Sequence, residues 1–200
     1  CEALAAQGLA YCGYRERNIS VPTQLGTIRP TYRVPETMWP GVEAFAANSP
    51  CLLLDFEGMK DFDAEGMVAA LRDRWPAARS GSLPCPGRWQ GREARPLPLA
   101  QSLEKEGTLR ELAGTVASRL NPGEAAGLPA VMGVNNPDRV RGALQEMIGA
   151  PVFEIPFLPS PVPGARIREA CRGFFSRGGA VRFLAPGRVL RAAMPDEGDF

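Results

Sequence analysis

Cys51-Leu52-Leu53-Leu54-Asp55-Phe56-Glu57-Gly58-Met59-Lys60-Asp61-Phe62-Asp63-Ala64-Glu65-Gly66-Met67-Val68-Ala69-Ala70-Leu71 decides the fold class. Its first five residues form a short apolar run of the kind buried on both faces of a sheet. Asp63 then offers a carboxylate cap to a helix whose apolar residues, Ala64, Met67, Val68, Leu71 and Trp75, recur at helical spacing. Strand, polar loop, capped helix is the unit of an α/β fold.

The same alternation continues downstream. Thr108 and Glu111 form a capping-box pattern before Leu109, Leu112, Ala113, Val116 and Leu120. Asn136-Pro137 places a cap ahead of Val140, Ala143, Leu144, Met147 and Ile148. A last helix is expected from Gly164 to Arg177, with Ile167, Ala170, Cys171 and Phe174 inward, and an early one over the first dozen residues, carrying Leu4, Ala5 and Leu9. Apolar runs at Ala130–Met132, Pro151–Ile155, Val181–Leu184 and Val189–Arg191 read as strands, the last two joined at Ala185-Pro186-Gly187. Strands alternating with helices imply a mostly parallel sheet with crossover helices. Leu25–Val34 reads as a two-strand β excursion, with 25–40 set off from an α/β core over 51–193, and the Pro/Gly-rich stretch 80–98 as a long loop. A single α/β unit over 1–200 is the expected organisation.

Composition narrows the chemistry. The 200 residues carry 23 Lys plus Arg against 22 Asp plus Glu, so no basic excess draws the chain to a phosphate backbone. Histidine is absent, which excludes a Ser-His-Asp triad, a Cys-His dyad and any His-bearing zinc site. There is no Gly-Lys-Ser/Thr phosphate loop and no G-x-G-x-x-G fingerprint. The five cysteines form no C-x-x-C pair, which fits reduced thiols; Cys51 and Cys171 sit in apolar patterns. No apolar run approaches the ~20 residues of a membrane span.

Two polar clusters are candidate sites. Alternate residues of a strand share a face, so Thr27, Arg29 and Thr31 set two hydroxyls around a guanidinium suited to a carboxylate or phosphate. The competing account is a solvated edge strand. In Pro159-Ser160-Pro161-Val162-Pro163-Gly164-Ala165-Arg166, at a strand-to-helix junction, Ser160, Gly164 and Arg166 could face an anion at the helix N-terminus. The alternative there is a proline-stiffened loop with a surface arginine. Four carboxylates within Asp55–Asp63 are better explained by capping and solvation than by a divalent ion.

Taken in order, Leu25-Gly26-Thr27-Ile28-Arg29 through Trp39-Pro40, Leu54–Phe62, Leu128–Gly133, Leu158–Arg166 and Phe174–Gly179 resemble the B-subunit family of anaerobic glycerol-3-phosphate dehydrogenase, a flavoprotein. The resemblance implies the middle segment of a flavin-dependent oxidoreductase, without the glycine-rich flavin fingerprint that opens the family's longer chains. It implies oxidation of glycerol 3-phosphate to dihydroxyacetone phosphate, with FAD or FMN in the full-length polypeptide and none on this segment alone. It also implies two partners, a flavin-bearing A subunit and an iron–sulfur C subunit that anchors the complex, and a cytoplasmic position at the inner face of the bacterial membrane. Thr27, Arg29, Thr31, Ser160, Gly164 and Arg166 would then face flavin or substrate.

The runner-up is a non-catalytic assembly module, with Met38, Trp39, Trp75 or Trp89 as anchors and the Arg-rich loop around Trp89 as the contact surface. Convergence of Arg29 and Arg166 on one cleft favours the redox reading, and separation favours assembly. An isolated segment is further expected to expose apolar surface that pairs copies of the chain.

Overall fold

A computed structural model describes residues 5–6, 9–14, 16–87, 93–158 and 161–178. The chain opens with two small antiparallel ladders: β1 (Tyr11–Cys12) pairs with β4 (Val34–Pro35), and β2 (Ile19–Pro22) with β3 (Ile28–Thr31). A 3-10 turn, Glu36–Met38, leads into α1 (Trp39–Ala46). The core follows as β5 (Cys51–Phe56), α2 (Ala64–Leu71), β6 (Ala78–Leu83), α3 (Pro96–Leu103), α4 (Glu106–Ala117), β7 (Ala125–Pro129), α5 (Pro137–Ile148), β8 (Val152–Ile155) and α6 (Pro161–Gly178). Its four strands are all parallel, in the order β6-β5-β7-β8. The chain is thus α/β, a parallel sheet with crossover helices and a small β excursion near the start.

Local chemistry accounts for the joints. Asp63 accepts from the Gly66 amide at 3.0 Å and Asn136 from the Arg139 amide at 3.1 Å, so both caps work as expected. Met67, Leu71 and Trp75 are fully buried below α2, and the Trp75 indole donates to the Ser49 carbonyl at 2.9 Å. Phe153 on β8 needs two glycines: a Cβ on Gly41 of α1 would lie 2.4 Å from its ring, and one on Gly127 of β7 2.6 Å from it. Hydrogen at those two positions lets α1 and the sheet close on the ring.

Several expectations are corrected. Tyr11–Cys12 is a strand, not part of an early helix, although Leu9 is buried. The strands within Leu25–Val34 pair with upstream partners rather than with each other, and Leu25-Gly26 forms the tip of the β2–β3 hairpin. The stretch 80–98 is not one loop: its first residues complete the edge strand β6 and its last begin α3. An edge strand flanked on one side only by β5 tolerates Ser80, Gly81 and Ser82, which carry no strand signal. Helix α4 starts at Glu106, two residues before the capping-box Thr108, and Glu111 instead accepts from the Gly87 amide at 2.9 Å. The third core strand is Ala125–Pro129; Ala130–Met132 is a buried bend beyond it. The strands expected at Val181–Leu184 and Val189–Arg191, with their turn, lie outside the described residues, as do Trp89 and Ser160.

Candidate functional site

Glu154 is the centre of the polar architecture. It stands on β8 between Phe153 and Ile155 and is 1% exposed, a carboxylate that must be paired to be tolerated there. Arg166, 4% exposed, reaches it from α6 with both terminal nitrogens, at 2.7 and 2.8 Å, and donates from Nε to the Gly133 carbonyl at 2.9 Å. The Thr37 hydroxyl donates to one Glu154 oxygen and the Met132 amide to the other, each at 2.6 Å. Every guanidinium nitrogen and both carboxylate oxygens are engaged. The network ties the 3-10 turn, the bend after β7, β8 and α6 into one unit.

Arg166 therefore does not offer a charge to a ligand at a helix N-terminus, contrary to the sequence reading. Helix α6 begins at Pro161, a turn earlier than expected, which moves Arg166 inward to the second turn. Its anion is supplied by the chain itself. The buried face also differs: Val162, Ala165 and, as expected, Ala170 are buried, while Ile167 and Phe174, expected inward, are exposed and Cys171 is half-buried. Gly164 is exposed with no atom within 4 Å of a Cβ placed on it.

The second cluster fares differently. Arg29 and Thr31 do alternate along one ladder face, with Thr27 just before the strand, but Thr31 lies opposite Ile19 and Arg29 opposite Val21, both buried. Paired residues point to the same side, so this is the packing face of the hairpin and its outer margin. The Thr27 and Thr23 hydroxyls share a hydrogen bond at 2.8 Å, and the Thr31 hydroxyl donates to the Arg33 carbonyl at 3.3 Å. Arg29 is exposed, and its guanidinium has no hydrogen bond or ion pair among the described residues. The cleft beside Arg166 is lined by Leu9, Tyr11, Glu36, Asp138 and Pro163, among others, and not by Arg29.

At the carboxyl ends of β5 and β7, where open α/β sheets receive ligands, Met59, Phe62, Ala94, Val131 and Met132 are buried. The loop after β7 is held by Glu104: one oxygen accepts from the Val134 and Asn135 amides at 2.8 and 2.6 Å, the other from the Asn135 side chain at 2.9 Å. Burial pushes the Glu104 carboxyl up, but these donors outweigh it and leave the pKa lowered. Beside these buried residues an open cleft of about 340 Å³ is lined by Gln24, Leu25, Lys60, Asp61, Phe62 and Asp63, among others. No group of three or more Cys, Asp and Glu that could hold a metal occurs among the described residues, and no helix among them is long and apolar enough to cross a membrane. Of the proposed anchors, Trp75 and Met38 are core residues and Trp39 is half-buried.

Comparison with known proteins gives a consistent picture. The family described as FAD binding domain matches residues 2–194. A probable anaerobic glycerol-3-phosphate dehydrogenase B subunit of Halobacterium salinarum is 32% identical over 83% of the chain and 41% of its own length. The anaerobic glycerol-3-phosphate dehydrogenase B subunit of Actinobacillus succinogenes is 30% identical over 96% of the chain and 46% of its own. That of Yersinia enterocolitica is 28% identical over the same shares. The chain spans less than half the length of these relatives. No solved structure matches it.

Proposed function

The chain belongs to the FAD binding domain family, and from that premise we propose that it is part of the B subunit of a flavin-dependent dehydrogenase that oxidises glycerol 3-phosphate to dihydroxyacetone phosphate and passes electrons toward quinone. Its partners in this reading are a flavin-bearing A subunit and an iron–sulfur C subunit, in a complex peripheral to the inner face of the membrane. FAD rather than FMN is the cofactor that the family favours, held by polypeptide other than the residues described.

Within that assembly the role of the described segment is support rather than chemistry. One observation carries this: Arg166, one of the two arginines expected to face flavin or substrate, is already committed, in both terminal nitrogens, to Glu154. A chain without histidine also supplies no ordinary general base near neutral pH. Arg29 is the candidate whose guanidinium remains available, and it suits an acidic surface on a partner protein.

The test co-expresses a full-length B subunit with its partners and reads the visible flavin spectrum, glycerol 3-phosphate-dependent dye reduction and gel filtration. Arg29→Ala should keep flavin and turnover per assembled complex while lowering the yield of complex. Loss of turnover in a complex that assembles normally would place Arg29 at the reaction and overturn the support role. Failure of the wild-type complex to reduce dye with glycerol 3-phosphate would overturn the substrate.

A further inference from the structure

The N-terminal segment Leu9–Cys12 is a strap whose Leu9, Ala10 and Tyr11 form one wall of the cleft that adjoins Arg166. Among the described residues it is held by the Glu36 amide, which donates to the Ala10 carbonyl at 2.9 Å, by Arg33, which donates to the Tyr11 carbonyl at 3.2 Å, and by the pairing of β1 and β4 over two residues. Beneath it is a cavity of about 20 Å³, enough for one water. Asp138, from the first turn of α5, and Glu36, from the 3-10 turn, both line it, among the apolar walls of Leu9, Pro35, Pro137 and Pro163. One Asp138 oxygen is buried with no hydrogen-bond partner.

The geometry points to Asp138 as a proton-operated latch: with its carboxyl protonated the strap closes over the Arg166–Glu154 pair, and with the carboxylate formed it loosens and admits water. A neutral acid can donate to Glu36 or to a water in the cavity, whereas a second carboxylate in so small a space leaves two anions facing each other. The groups that face it fix the balance. Glu36 from the 3-10 turn and Glu154 from β8 oppose the charge. Arg141 on α5 and Arg166 on α6 favour it, but Arg166 is committed to Glu154 and Arg141 Nε is itself buried without a partner. Tyr11 and Cys12 complete the surroundings from the strap, and both titrate above their usual values, chiefly through burial. Burial and then Glu36 raise the Asp138 carboxyl above its ordinary 3.8. The sign follows: the contribution to closure is complete below 3.8 and is lost as pH rises through the raised value.

This inference is independent of the reaction and is tested without activity. Amide hydrogen exchange of Cys12, opposite Val34 in the ladder, and of Glu36, whose amide donates to the Ala10 carbonyl, is followed in the full chain from about pH 3 to 8, corrected for intrinsic rates and referenced to Leu53 in the central strand. Protection of the strap should fall with rising pH by about tenfold for each unit that Asp138 is displaced, with Leu53 unchanged. Asp138→Asn should hold high protection at every pH, and Glu36→Gln should move the wild-type fall to lower pH. A flat wild-type profile, or the same fall in Asp138→Asn as in wild type, would overturn the latch.

Discussion

Removing Arg166 should cost far more than removing any exposed arginine of this chain. Arg166→Ala leaves Glu154, 1% exposed, with the Thr37 hydroxyl and the Met132 amide but no positive charge. It also deprives the Gly133 carbonyl of its donor. Breaking a buried pair from one side costs about 3–5 kcal/mol, against a total stability of about 5–15 kcal/mol. With a urea slope of about 2 kcal/mol/M, the unfolding midpoint falls by roughly 1.5–2.5 M. Arg166→Lys keeps the charge but not the planar fork, and should fall between wild type and alanine. Arg166→Met with Glu154→Leu should be less damaging than Arg166→Ala alone, because no uncompensated charge remains and the orphans are one hydroxyl, one amide and one carbonyl. Midpoints from urea titrations followed by tryptophan fluorescence decide the matter. A fall of less than about 0.5 M in Arg166→Ala at unchanged slope, about 1 kcal/mol, would mean that water reaches Glu154 and that the network is not the tie described.

Three further outcomes follow from other contacts. Glu124 is held down to about 2, first by its hydrogen bonds from Arg79 and then, against burial, by donors from Asn121. Its stabilisation is therefore present above the ordinary 4.5 and lost as pH falls through about 2; because Arg79 is 41% exposed, Glu124→Gln should flatten the acid limb of stability by only about 1 kcal/mol, read by denaturant titration at pH 2–5. Burial pushes the Cys51 thiol up to about 12 and the Cys85 thiol up to about 11, so peptide mapping after iodoacetamide at pH 8 should find both unmodified in the folded chain and half-buried Cys171 alkylated. Gly26 combines φ +67° with a position where a Cβ would fall 2.1 Å from Ala70 Cβ; Gly26→Ala should lower stability by about 1–3 kcal/mol, seen as a lower thermal midpoint.

What could be read from the sequence divides along physical lines. Asp63 and Asn136 were legible because a cap is a local device, set by one side chain and an amide three residues on. The run Leu52–Leu54 was legible because a strand covered on both faces has no polar alternation to confuse it. Strand β6 was not, since Ser80-Gly81-Ser82 is strand only by virtue of β5 alongside. Arg166 was singled out, but its partner was not. Glu154 had left a signal: an acid inside an apolar strand, in Val152-Phe153-Glu154-Ile155, requires a cation from elsewhere in the chain. Pairing the two would have turned α6 to its actual face, exposing Ile167 and Phe174. The distance in sequence between residues 154 and 166 is short, yet only the fold, which brings the Arg166 side chain of α6 to β8, shows which cation is used.

The ring of Phe153 fits because Gly41 and Gly127 carry no side chain where it lies. Those three positions cannot drift one at a time. A methyl at residue 127 is survivable only after residue 153 has shrunk, and a smaller residue 153 opens a void that rewards a larger residue 41 or 127. Along any lineage, the order of substitutions is therefore constrained even though each final combination could pack equally well. Chains that have taken different routes should then tolerate poorly the single-residue exchange of these positions between them, while accepting the three as a block.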